Sequence, residues 1–170
     1  MHGYSFIIRK AGPDDAGAVT RIVKDAFSKY ADDSGIHGSG GSLEALAEGE
    51  GVTLLDIGRK EVYVASVDGV PVGTVRFELT PGGEAHISRF GVVGGYQSMG
   101  IGSSIMSMLD KLLPSLGVRK ACLYTASRYG ELVRFYYKFG YYVESTSDER
   151  GYVRAKMVKE FQAPPHPSCT

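Results

Sequence analysis

The sequence predicts an α/β (α+β) fold, a mixed and mostly antiparallel central sheet flanked by helices in the order β-α-α-βββ-α-β-α-ββ. Three observations lead there. Short runs rich in Val, Tyr, Thr and Phe are separated by Asp-Gly and Pro-Gly-Gly turn signals. Longer stretches carry apolar residues at helical spacing. No internal repeat and no linker interrupts them, so a single domain over residues 1–160 is expected, followed by a disordered tail over 161–170.

Tyr4, Phe6 and Ile8 alternate with Ser5 and Ile7, which predicts a first strand. Gly12-Pro13-Asp14-Asp15 reads as a helix entrance, because Pro suits the first turn and carboxylates favour the positive end of the helix dipole. Ala16, Val19, Ile22, Val23, Ala26, Phe27 and Tyr30 continue it as one amphipathic face. From Asp32 to Ser42 four glycines and three serines predict a mobile loop that would act as a lid. Leu43 to Ile57 is helical in pattern but interrupted by Gly49 and Gly51, and its boundaries stay open.

Glu61–Val67 and Val72–Leu79 flank Asp68-Gly69 as a hairpin, and Pro81-Gly82-Gly83 leads into a further strand over Glu84–Val92. Ile101, Ile105, Met108, Leu109, Leu112 and Leu113 then form a helical stripe ending near Pro114 and Gly117. Arg119–Thr125 reads as a strand buried on both faces, and Gly130–Phe139 as a short helix stopped by Gly140. Tyr141–Ser145 and Tyr152–Val158 complete the sheet.

Composition narrows the functions. The chain has 170 residues with 19 basic and 19 acidic side chains, so it exerts no general attraction on nucleic acid or anionic lipid. No apolar run approaches the length of a signal peptide core or a membrane helix. Cys122 and Cys169 form no C-x-x-C pair, which fits a reducing cytoplasm. The four histidines, His2, His37, His86 and His166, are too scattered to suggest a metal site.

The most informative window is Val92-Val93-Gly94-Gly95-Tyr96-Gln97-Ser98-Met99-Gly100-Ile101-Gly102, a strand end, a turn and a helix start. Glycines there let unpaired backbone N–H groups approach an anion, with the helix dipole adding to the attraction. A Walker loop would need Lys and then Ser or Thr after its second glycine, where Ile101 follows Gly100. A dinucleotide fingerprint would need glycine at Ile105. Both readings fail.

Gln97 to Gly102 resembles the R/Q-x-x-G-x-G/A pyrophosphate loop of the GNAT superfamily of acyl-coenzyme A dependent N-acetyltransferases. Phe135-Tyr136-Tyr137-Lys138-Phe139-Gly140-Tyr141 is similar to that family's F/L-Y-x-K-x-G-F/Y motif, and the element order agrees from about Tyr4 to Val158. The resemblance implies a GNAT-like sheet whose fourth and fifth strands splay to admit acetyl-coenzyme A, with no metal. Backbone near Phe90 and Val92 would pair with the pantetheine arm, and Gln97, Ser98, Gly100, Ile101, Gly102 and Ser103 would cradle the pyrophosphate. Gln97 replaces the commoner Arg, Ser98 a frequent Gly, and Tyr129, at the place of a cofactor-binding Asn, is the remaining cofactor candidate. Arg134 and Lys138 either face the cofactor phosphates or are solvated surface charges.

Acyl transfer to an amine sets two proton problems. A lysine-like amine with a pKa of about 10.4 must lose a proton near neutral pH, at a cost of roughly 4–5 kcal/mol in population. Counting by two puts Glu84, His86, Ser88, Phe90 and Val92 on one strand face, and His86 has the apt reference pKa. Glu84, or water relayed through Ser88, is the alternative base. The leaving thiolate needs an acid, and the resemblance assigns that role to Tyr136. A backbone N–H near Phe90 would hold the reacting carbonyl oxygen, with no covalent enzyme intermediate.

The expected function is therefore transfer of an acetyl group from acetyl-coenzyme A to a primary amine, on a small molecule or a peptide N-terminus. The alternative is a catalytically silent sensor that retains the coenzyme A cradle. Pairing of the last strands into a homodimer is the expected assembly.

Overall fold

The computed structural model describes residues 3–35 and 44–162. Seven strands form one sheet: β1 (Phe6–Lys10), β2 (Glu61–Val67), β3 (Val70–Thr80), β4 (Glu84–Val92), β5 (Lys120–Ala126), β6 (Tyr142–Ser147) and β7 (Arg154–Glu160). Their spatial order is β1-β2-β3-β4-β5-β7-β6, and every neighbouring pair is antiparallel except β4 and β5. The helices are α1 (Ala16–Ser34), α2 (Glu44–Ala47), α3 (Glu50–Arg59), α4 (Ile101–Ser115) and α5 (Gly130–Lys138). A parallel pair needs a crossover, and α4 supplies it between β4 and β5.

Local chemistry accounts for the boundaries. Asp68 and Gly69 both adopt positive φ, 49° and 81°, the backbone a two-residue hairpin with matching twist requires. Ahead of α1 the Asp15 carboxylate accepts from the Gly12 N–H at 2.7 Å and pairs with Arg9, anchoring the helix start to β1. α1 runs beyond Tyr30 through Asp32, Asp33 and Ser34, which the sequence placed in a loop. Gly35, at φ 71°, ends it instead. The open stretch before β2 resolves into α2 and α3, parted at Glu48 and Gly49. The remainder of the expected lid, residues 36–42, lies outside the described residues, as do positions 163–170 of the expected tail.

β4 departs from simple alternation. Arg76 of β3 faces Ser88, whereas Thr74 faces Gly91, so Val75 stands opposite two residues, Arg89 and Phe90. Arg89 takes φ 50° at this bulge. The expectation that Glu84, His86, Ser88, Phe90 and Val92 share one face is corrected accordingly. Glu84, His86 and Ser88 face the α1 side together with Gly91. Val92 shares the opposite side with Ala85 and Ile87, and Phe90 also packs there, beside α4 and α5. A Cβ on Gly91 would come 2.6 Å from that of Ala26, which shows how closely α1 lies on β4.

Each face carries its own apolar layer. Val19, Ile22 and Val23 of α1 pack with Ala45, Val62 and Val64 on one side. Ile101, Ile105, Met106, Leu109 and Leu113 of α4 pack against Val75, Phe77, Ile87 and Met157 on the other. Full burial of such side chains stabilises by about 1.5–3 kcal/mol each, which holds α4 against β3 and β4. β6 closes the sheet with every residue exposed and one edge free.

Candidate active site

β4 and β5 are paired only at Glu84↔Lys120, Ala85↔Ala121 and His86↔Cys122. Beyond that point the strands part. A cavity of about 590 Å³ opens there, within the size range of ligand pockets. His86, Phe90, Val92, Gln97, Gly102, Tyr129 and Tyr136 line it, so the separation of strands brings together residues distant in sequence. Glu84 does not line it, because it sits at the zipped end of β4 opposite Lys120. Ser98 and Gly100 lie on the turn and Ser103 in the first turn of α4, all outside the cavity lining, and the Ile101 side chain points into the core, 2% exposed.

The turn between β4 and α4 is a short 3₁₀ segment, Gln97–Met99, followed by Gly100 at φ 77°. α4 has no side-chain cap, and its first intrahelical bond runs from Ser104 N–H to Gly100 carbonyl. The N–H groups of Ile101, Gly102 and Ser103 thus precede the hydrogen-bonded ladder, and the dipole adds positive character. A Cβ on Gly102 would lie 3.2 Å from the Phe90 ring, so β4 and α4 approach closely there and a larger side chain would push the ring aside. These features fit the diphosphate of coenzyme A. Gln97 lacks the charge of the arginine it replaces, but its side-chain oxygen accepts from Lys29 Nζ at 2.6 Å, and its amide donates to the Val92 carbonyl at 3.3 Å. Lys29 brings a cation to the turn from α1, a long-range contact that no local motif signals.

Tyr136 occupies the last turn of α5, where Phe139 and Tyr141 N–H groups both donate to its carbonyl and Gly140 turns at φ 87°. Its ring packs 6.2 Å from Phe90 and 5.5 Å from Phe135. Burial pushes its phenol far up, with Tyr30 and Tyr141 adding to the effect, so the hydroxyl keeps its proton across the physiological range. His86 lies at the closed end of the gap, edge-on to Tyr124 with ring centroids 5.6 Å apart. Desolvation holds its imidazolium below the usual value; Lys60, Arg154 and Lys156 act in the same direction and Glu78 opposes them. His86 is therefore neutral at pH 7, the form that accepts a proton.

Tyr129 is turned toward α1. Its hydroxyl donates to Asp33 at 3.2 Å, and burial followed by the charge of Asp33 pushes it up to about 12. Arg134 and Lys138 are exposed and outside the cavity lining. Cys122 is buried, and desolvation raises its thiol, as suits a packing residue. Among the described residues no group of acids, histidines or cysteines could hold a metal ion. His2, His37 and His166 lie outside them.

Several site residues carry no local sequence signal. Tyr30 was assigned to the core face of α1, but it reaches the gap, where its hydroxyl accepts from the Ala126 N–H and lies 3.4 Å from the Thr125 hydroxyl. Arg76, fully buried, donates to Asp56 at 2.8 Å and lies 3.4 Å from Glu48, which also pairs with Arg89. That network fastens the α2–α3 junction to the β4 bulge. A lone arginine inside the apolar run V-G-T-V-R-F was the one available hint.

Residues 27–141 match the acetyltransferase (GNAT) family. The chain belongs to that family. No curated protein matches it. Among solved structures, the PaiA N-acetyltransferase from Thermoplasma acidophilum in complex with coenzyme A superimposes with a TM-score of 0.79. It is 20% identical over 92% of this chain and 99% of its own. YncA of Salmonella typhimurium, with its cofactor acetyl-CoA, gives a TM-score of 0.73 at 17% identity over 98% of this chain and 99% of its own. The ribosomal-protein-S18-alanine N-acetyltransferase of Escherichia coli gives 0.70 at 15% identity, over 96% of this chain and 98% of its own. These proteins share the fold of this chain. The chain is an acetyltransferase of the GNAT type.

Proposed function

We propose that this GNAT protein transfers the acetyl group of acetyl-coenzyme A directly to a primary amine, on a small molecule or a peptide N-terminus, in the cytoplasm. The observation that carries the reading is the parting of β4 from β5 beside an uncapped α4 N-terminus. When bound, acetyl-coenzyme A supplies an acyl group activated as a thioester. Backbone N–H groups of Gln97, Ser98, Gly100, Ile101, Gly102 and Ser103 would hold its pyrophosphate, with Lys29 nearby as counter-charge. The β4 edge around Phe90 and Val92, unpaired with β5, would hold the pantetheine arm as an added strand. Tyr129, at the mouth, is a further contact on that side.

His86 would take the proton of the attacking nitrogen, directly or through a water held by Ser88, and Glu84 would act only through a longer water path. The nitrogen gains its bond to the acetyl carbon, and the carbon–sulfur bond breaks. Tyr136 would hand its proton to the departing sulfur. In water a phenol giving its proton to a thiolate runs uphill by about 2 kcal/mol, and the burial that raises Tyr136 would raise an enclosed thiolate as well. A backbone N–H near Phe90 would steady the carbonyl oxygen. The fully exposed β6 edge is where a second copy would pair.

A thermal-shift and thiol-release screen with acetyl-coenzyme A and a panel of amines tests the proposal. Stabilisation by the donor and amine-dependent release of free thiol are expected. Stabilisation with no release from any amine would favour a coenzyme A sensor and overturn the transfer.

A further inference from the structure

The wall of the cavity opposite the donor turn carries a cation without a carboxylate. Arg154 opens β7, paired with Ala126 of β5 and Ser147 of β6. Its guanidinium lies over the Tyr124 ring, 4.3 Å from the centroid, and Tyr124 stands edge-on to His86. Register puts His86, Cys122, Tyr124 and Arg154 on one sheet face. Tyr124 is 41% exposed because β4 has already turned away and no helix among the described residues covers this part of the sheet, contrary to the expected double burial of β5.

Charges elsewhere on this side of the cavity are matched. Glu48 meets Arg76 and Arg89, Asp56 meets Arg76 and Lys60, Glu78 meets Lys60, and Glu44 meets Arg150. Arg154 has no carboxylate within ion-pair distance among the described residues, yet it borders the same cavity as His86. On this wall an acceptor with several positive charges would find every carboxylate paired and would face Arg154 and Lys60, since Glu131, the lining carboxylate outside these ion pairs, stands on α5. One with an anionic end finds a planar guanidinium already held flat on an aromatic ring.

We propose that the acceptor is an amine bearing its own carboxylate, an amino acid, with the carboxylate on Arg154 and the nitrogen at His86 across the face of Tyr124. This rests on the acetyl-transfer reading and gives it a substrate class. The product is then an N-acetylated amino acid, with the nitrogen's proton left on His86.

The test compares thiol release from amino acids, their carboxamides and the corresponding decarboxylated amines at saturating acetyl-coenzyme A. At least one amino acid should exceed both counterparts in kcat/KM by about tenfold or more, the range expected for one charged hydrogen-bonding contact. Arg154→Ala and Arg154→Gln should each raise KM for that amino acid about tenfold and remove the preference over the carboxamide. The KM for acetyl-coenzyme A and the donor-induced thermal shift should stay unchanged, which also verifies folding. Arg154→Lys should restore part of the preference. Equal or better use of carboxylate-free amines, or an unchanged KM in the folded variants, would overturn the assignment while leaving acetyl transfer intact. Release from no amine at all would instead overturn the transfer reading.

Discussion

In the proposed reaction His86 would serve as base because β4 places it half-buried beside Lys60, Arg154 and Lys156. Its depressed pKa means that kcat/KM should climb with pH along a limb centred below about 6.5, and His86→Gln should flatten that limb and lower the rate. Stability follows the same sign. The unfolded chain binds the proton at a higher pH than the folded one, so the contribution of His86 is present above about 6.5 and lost as pH falls through the lower folded value. Urea titrations at pH 7.5 and 5.5 should show a smaller loss on acidification for His86→Phe than for the parent. Tyr136→Phe keeps the packing of the ring but removes its proton. It should lower kcat about tenfold or more while leaving coenzyme A affinity unchanged. That both line the gap was legible, His86 from its place on a strand and Tyr136 from its motif. Lys29, Tyr30 and Arg154 were not, since their relevance arises only where α1 and β7 meet the gap.

Among the elements, α1 lies close on β4 at Ala26 and Gly91. Gly91→Val would drive a side chain into Ala26 and should destabilise by about 1–3 kcal/mol, measured as a shift in the urea midpoint, unless α1 moves outward. Arg76 offers a sharper case. Replacing it with Ala strips Asp56 and Glu48 of a buried counter-charge, and a loss of about 3 kcal/mol is expected. The strands and α4 were legible because turn residues and apolar spacing agree with the tertiary structure. The break between α2 and α3 was legible in part, from Gly49, but the pairing of Glu48 there with Arg76 of β3 and Arg89 of β4 was not. Neither was the run of α1 to Ser34, whose acidic and small residues resemble a loop in composition yet continue the helix until Gly35 permits the left-handed turn.

For the molecule as a whole, occupancy of the gap should couple to global stability. Coenzyme A at a hundred times its dissociation constant would add about 2.7 kcal/mol, or roughly 5–10 °C in Tm for a domain of this size, readable by calorimetry. Overall architecture was legible because two motifs at the correct separation fell within a matching order of elements. The cavity was foreseeable only as an implication of that resemblance, since no local pattern states that β4 and β5 unzip after His86. The bulge at Arg89 and Phe90 gives this division its parity. In the proposed reaction one surplus residue would let the strand's first half address the amine and its second half the thioester, serving two reactants from opposite sides of a single ribbon. Substitutions along it should be tolerated more readily than a change of count: deleting one residue there would swing Val92 toward α1 and leave both reactants on the same side.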